Sequence, residues 1–132
     1  MNVREIKFRG YFEKAKRWHY GLLWFDGEKT YAIVENRNGD EWNFPVVKES
    51  IGQYTGLKDK NGKEIYEGDI VKRIYPTTTI DEFIGAVEYH DGTYFLIGED
   101  REYDVTFLYD DTIKNTVEVI GNIYENPELI NS

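Results

Sequence analysis

Few side chains in this sequence are equipped for chemistry, and they do not fall into a catalytic pattern. The histidines are His19 and His90, and the serines are Ser50 and the terminal Ser132. A serine hydrolase needs serine, histidine and an acid brought together. His19 stands in Arg17-Trp18-His19-Tyr20 and His90 precedes Asp91-Gly92, settings that suit structural or surface histidines. Carboxylates are abundant: Asp81, Glu82, Glu88, Asp91, Glu99, Asp100, Glu102, Asp104, Asp110 and Asp111 crowd one stretch around Arg101. Paired carboxylates can act as acid and base or hold a divalent cation. No spacing picks out a pair, so the stretch is expected to be a solvated acidic face. With no cysteine, disulfides and thiolate zinc sites are excluded. No phosphate loop or dinucleotide fingerprint is present. No catalytic residue, cofactor or metal ligand is therefore expected.

Two groups of residues point instead to binding. Trp18, Tyr20, Trp24, Tyr31 and Trp42 lie in the more basic half of the chain. Aromatics beside Lys and Arg can stack on single-stranded bases, but the two-residue spacing of Trp18, Tyr20 and Trp24 favours core or sheet packing. The run Lys58, Asp59, Lys60 and Lys63 reads either as a displayed loop that contacts a partner or as a solvated turn of alternating charge. It is no calcium loop, because it lacks alternating oxygen ligands and a terminal bidentate carboxylate.

The elements that carry these residues read as strands. Ile6, Phe8, Gly10 and Phe12 alternate with Glu5, Lys7, Arg9 and Tyr11 over residues 4–12, the period of a half-buried strand. Trp18–Phe25, Lys29–Glu35 and Trp42–Val47 follow as strands, with Asp26-Gly27 and residues 36–40 as turns. Pro45 places the last of these at a sheet edge. Asn61-Gly62 and Gly68-Asp69 mark turns before Ile70-Val71, and Pro76–Thr79 reads as a loop. Phe83–His90, Asp91-Gly92 and Thr93–Ile97 form the clearest hairpin. Tyr103, Val105 and Phe107 alternate as a further strand, and Val117–Tyr124 is the last. Asn126 is the expected cap of a single turn that opens on Pro127. The fold class expected is mainly β, or a β-rich α+β at most. An N-terminal β-rich region spans 1–50 and a five-stranded, SH3-like barrel lies within 51–132.

In a chain of 132 residues, 40% are hydrophobic and 16% aromatic, enough for a core. The formal net charge is -9, from 16 basic and 25 acidic residues; 9 and 8 of these fall in residues 1–50, and 7 and 17 in residues 51–132. Arg4, Lys7, Arg9, Lys14, Lys16 and Arg17 stand against Glu5 and Glu13 at the start. That asymmetry is a cue for electrostatic partnering. No apolar run resembles a signal peptide or reaches membrane-spanning length, so a cytoplasmic location without membrane partners is expected.

Three segments carry a family likeness. Arg4-Glu5-Ile6-Lys7-Phe8-Arg9 resembles the opening of the YopX family. The run from Gly52 to Lys72, through Gly56-Leu57-Lys58-Asp59-Lys60-Asn61-Gly62 and Glu67-Gly68-Asp69, resembles its central signature. Glu118-Val119-Ile120-Gly121-Asn122-Ile123-Tyr124-Glu125-Asn126-Pro127-Glu128-Leu129 resembles its C-terminal signature. Segments 13–48 and 73–116 match in general character only. The resemblance implies a bacteriophage or prophage protein in a bacterial host, a C-terminal SH3-like barrel, and no assigned catalytic residue.

The expected function is that of a non-enzymatic phage accessory protein that binds another protein, its own copies included. A basic N-terminal sheet and an acidic C-terminal barrel can pack head to tail into a homo-oligomer, or meet within one subunit. Other partners are an unidentified phage or host protein, or nucleic acid bound through the N-terminal half. An acidic nucleic-acid mimic acting on a host enzyme is a further alternative.

Overall fold

The structure is a computed structural model that describes residues 5–74, 82–104 and 116–130. It is mainly β. Eleven strands are found among the described residues, and the only helical elements there are three-residue 3-10 turns. The chain forms two compact units, Met1–Tyr54 and Thr55–Ser132.

The first unit orders its strands as β4-β3-β2-β1-β5, with β1 at Phe8–Phe12, β2 at Arg17–Phe25, β3 at Tyr31–Arg37, β4 at Asp40–Val46 and β5 at Gly52–Lys58. All the pairings are antiparallel. Turn chemistry sets the register. Asn38 and Gly39 take positive φ of 55° and 89°, the conformation of a two-residue hairpin turn between the paired residues Arg37 and Asp40. The Asp26-Gly27 hairpin is longer. Oδ1 of Asp26 accepts from the N–H groups of Glu28, Lys29 and Thr30 at 2.8, 3.0 and 3.1 Å. Tied down in this way, β3 starts at Tyr31 rather than at Lys29. As expected from Pro45, β4 lies at an edge of the strand order. The sheet curls until the end of β4 reaches β1, where the N–H of Val47 donates to the carbonyl of Tyr11 at 3.0 Å. Inside the curl lies fully buried Ile33, with Phe12 edge-on to Phe44.

In the second unit the remainder of β5 runs beside β6 (Glu64–Tyr66). A five-stranded antiparallel sheet follows in the order β10-β9-β8-β7-β11. Its strands are β7 (Asp69–Ile74), β8 (Glu82–His90), β9 (Thr93–Ile97), β10 (Tyr103–Asp104) and β11 (Val117–Asn122). Ile65, Val71, Val87, Tyr94, Leu96 and Val117 form one buried cluster. Burying side chains of this kind contributes about 1.5–3 kcal/mol each, which makes the cluster the main driving force of this unit. Asp91 and Gly92, at φ 51° and 86°, close the β8–β9 hairpin between His90 and Thr93.

Two expectations need correction. The turn expected at Gly68-Asp69 lies one residue earlier, where Glu67-Gly68 turns the chain between β6 and β7. The buried carboxylate of Asp69 fixes that turn by accepting the N–H of Tyr66 at 2.7 Å. Pro127 does open a 3-10 turn over Pro127–Leu129, but the Asn126 side chain does not cap it. Its Oδ1 reaches back and accepts the N–H of Asn122 at 3.2 Å. Of the expected strand at Tyr103, Val105 and Phe107, only Tyr103–Asp104 is described, as β10; Val105 and Phe107, like the Pro76–Thr79 loop, lie outside the described residues.

Candidate functional site

The chemically capable side chains are mostly engaged in holding the fold. His19, on β2, is 5% exposed, and its ring stacks on Phe44 at 3.6 Å. Its Nδ1 pairs with Oε2 of Glu35 at 2.8 Å. The same carboxylate takes Nε and Nη2 of Arg37 at 3.1 and 2.7 Å and the N–H of Tyr20 at 3.2 Å. Partial burial pushes the Glu35 carboxyl up, but the donors from Arg37, His19 and Tyr20 more than offset this and hold it below its ordinary range. Glu88 repeats the arrangement near the surface. Burial raises its carboxyl, and Arg101 and His90 bring it below the usual value. His90 Nε2 lies 2.8 Å from Oε1 of Glu88, and Arg101 Nη1 donates to Oε2 at 2.9 Å. Ser50 accepts the N–H of Tyr11 at 2.8 Å and donates to the carbonyl of Val47 at 2.6 Å, so it acts as a clasp. Among the described residues, no three histidines or carboxylates are grouped to hold a metal ion. Asp81, Asp110 and Asp111 of the acidic stretch lie outside the described residues.

The charged run of the central segment is only partly on display. Lys58, Lys60 and Lys63 are exposed. Asp59 is 4% exposed, which corrects the expectation that it faces a partner. Its Oδ1 accepts from the N–H groups of Asn61 and Lys63 at 2.8 and 2.9 Å, and its Oδ2 accepts from the N–H of Val119 at 3.0 Å. Asp59 thus organises the turn and ties it to β11. Lys60 adds an ion pair to Glu118 at 3.2 Å.

The strongest surface feature is on the first unit. Tyr20, Leu22 and Trp24 alternate along β2 and so share a face; they are 44%, 60% and 51% exposed. This corrects the assignment of Tyr20 and Trp24 to the core. Trp18 fits that assignment better: it is half-buried, with the Arg9 guanidinium 4.7 Å from its ring. The period of two was visible in the sequence. What it could not tell was which face the curl would turn inward, because both faces of β2 carry large apolar residues.

The backbone explains why a groove opens here. Residues 17–21 of β2 pair with β1, and residues 22–25 pair with β3, so the strand changes partner at Gly21. A β-carbon at Gly21 would collide with the carbonyl oxygen of Val34; glycine permits the close crossing. On the far side of the crossing the Glu35 carboxylate, not a backbone carbonyl, receives the Tyr20 N–H. An open groove of about 550 Å³ follows this parting. Ile6, Tyr20, Leu22 and Val34 give it an apolar lining, and Glu5, Lys7, Glu35, Arg37 and Glu41 add charge. Two of the charges are already paired on the β1 flank, Lys7 with Glu5 at 3.2 Å, and two at the parting, Arg37 with Glu35. An apolar centre with a charged rim is the anatomy of a protein-binding surface.

Comparison with known proteins gives a consistent picture. A family model described as YopX protein matches residues 7–131. Among solved structures, the chain is similar to protein EF1440 from Enterococcus faecalis, with 26% identity over 97% of this chain and 99% of that one, at a TM-score of 0.52. No curated protein matches the sequence. No helix among the described residues is long and apolar enough to cross a membrane.

Proposed function

The chain belongs to the YopX family, and from that premise we propose that it is a non-enzymatic phage or prophage accessory protein, acting in the host cytoplasm by binding protein, its own copies included. The observation that carries this reading is the exposed row Tyr20, Leu22 and Trp24 beside the groove of the first unit. Large apolar side chains grouped on a surface cost free energy in water, and a grouping of this kind marks an interaction site. The second unit, which we read as the SH3-like part, supplies a rigid body whose exposed Lys58, Lys60 and Lys63 are a further contact for a partner.

Light scattering of the purified chain over a range of concentration and salt tests self-association. Affinity capture from an induced host, with mass spectrometry, tests other protein partners. Assembly, or a protein that co-elutes in stoichiometric amount, is the expected result. A monomer under all conditions that captures no protein ends the reading. Retention of DNA or RNA on a filter at low salt, lost as salt rises, would replace it with nucleic-acid binding.

A further inference from the structure

We infer that Asn38 is a site of spontaneous covalent modification, where the side chain loses ammonia to attack by the backbone nitrogen of Gly39, and that the fold protects the same dipeptide at Asn61. The inference is independent of the protein-binding reading above. Asparagine followed by glycine occurs at Asn38-Gly39 and at Asn61-Gly62. Asparagine is a thermolabile residue, and a following glycine leaves the attacking nitrogen unshielded by any side chain. Both pairs are exposed. The space around both glycines is open, since a β-carbon there would meet nothing within 4 Å. Sequence and access therefore do not separate the two sites. The cost of opening the turn does, because closing a five-membered ring forces the backbone at the asparagine out of the conformation it has in either turn.

The Asn61 turn is pinned. The N–H of Asn61 donates to Oδ1 of Asp59 at 2.8 Å, and the N–H of Gly62 donates to the Asp59 carbonyl at 3.0 Å. Asp59 is itself buried and tied to Val119, and the N–H of Lys60 donates to the carbonyl of Val117 at 3.0 Å. Opening this turn strips donors from a buried carboxylate. Asn38 instead sits at the tip of the β3–β4 hairpin, where every residue from 36 to 43 is exposed. Hairpin tips of this kind open at little cost. The Gly39 N–H is held there by Oδ1 of Asn36 at 3.0 Å. That is the proton which has to leave before Gly39 can attack, so Asn36 acts as a brake on the reaction.

The reaction balances with water alone. Base removes the Gly39 amide proton, the nitrogen bonds to Cγ of Asn38, and the bond from Cγ to the side-chain nitrogen breaks. That nitrogen leaves as ammonia, and a succinimide ring remains. Water opens the ring at the side-chain carbonyl to give aspartate, or at the main-chain carbonyl to give isoaspartate, so one water enters for each ammonia lost. Either product places a new carboxylate next to Arg37, which lines the groove, and isoaspartate also lengthens the backbone of the hairpin by one methylene.

Peptide mapping by mass spectrometry, after timed incubation of the whole chain in mildly alkaline buffer, tests the inference. The fragment that holds Asn38 should gain about one dalton and split on chromatography into two products of equal mass, faster as pH rises. The fragment that holds Asn61 should stay unchanged over the same period. In urea sufficient to unfold the chain, both fragments should react at similar rates, which shows that the folded structure makes the selection. Asn36→Ala removes the brake and should speed the reaction at Asn38 by roughly two- to ten-fold, the worth of one hydrogen bond. A folded chain in which Asn61 reacts as fast as Asn38, or in which neither reacts while both do in urea, overturns the inference. Two sites that stay inert even in urea overturn it as well. An unchanged rate in Asn36→Ala overturns the role given to Asn36.

Discussion

At the scale of single residues, the two most instructive carboxylates are Asp59 and Glu35, and both are engaged by donors of the fold. Asp59 satisfies three backbone N–H groups from inside the protein. Asp59→Ala would orphan all three, and leaving buried donors unmet costs about 1–3 kcal/mol apiece before relaxation. A loss of about 3 kcal/mol is therefore expected in urea denaturation, against less than about 0.5 kcal/mol for Lys58→Ala or Lys63→Ala on the exposed side. Glu35 should be read through pH. Its carboxyl sits below the ordinary value of 4.5 in the folded chain, so the folded state binds this proton less readily than the unfolded state. The stabilisation is fully present above about pH 4.5 and fades as pH falls through the lowered folded value. Glu35→Gln should remove this contribution. In thermal melts the wild type should lose more stability than the variant between pH 6 and pH 3, with a difference of about 1–2 kcal/mol at neutral pH. Equal acid sensitivity would show that the carboxylate is not held by His19, Arg37 and Tyr20 as described.

At the scale of elements, Gly21 decides whether β2 can serve two neighbours. Gly21→Ala should cost more than about 2 kcal/mol in denaturant, because the new methyl meets the backbone carbonyl of Val34 rather than a side chain able to move. Much of this layout was legible in the sequence, for identifiable reasons. The Asp91-Gly92 hairpin was readable because its turn needs positive φ at both positions and the flanking runs have strand character. Pro45 betrayed an edge because it has no N–H to give. The parting of β1 from β3 at Gly21 was not readable. It depends on the curl of the whole first sheet, and no local pattern records that. The same curl hid the exposed row: Tyr20 and Trp24 resemble core residues until one sees that Ile33, His19 and Phe44 already fill the inside. The burial of Asp59 was missed because its neighbours Lys58 and Lys60 make the run look uniformly solvated.

On the scale of the whole molecule, charge is distributed against stability. Residues 55–132 hold 7 basic and 17 acidic groups of the chain's 16 and 25, so the second unit repels itself at neutral pH. Raising the ionic strength from low salt to about 0.5 M should raise the urea midpoint, by a stabilisation on the order of 1 kcal/mol, as the screening length falls below the spacing of these groups. A midpoint that drops would mean that attractive pairs such as Lys60–Glu118 and Arg101–Glu88 outweigh the repulsion.

The double duty of Glu35 limits how this protein can change. Its carboxylate closes the interior against His19 and at the same time lines the outer groove. Random substitution there should be punished even where nothing binds. Ile6 and Glu41, which line the same groove without bracing the interior, are positions at which the groove's surface can be rewritten while the shape of the chain is kept.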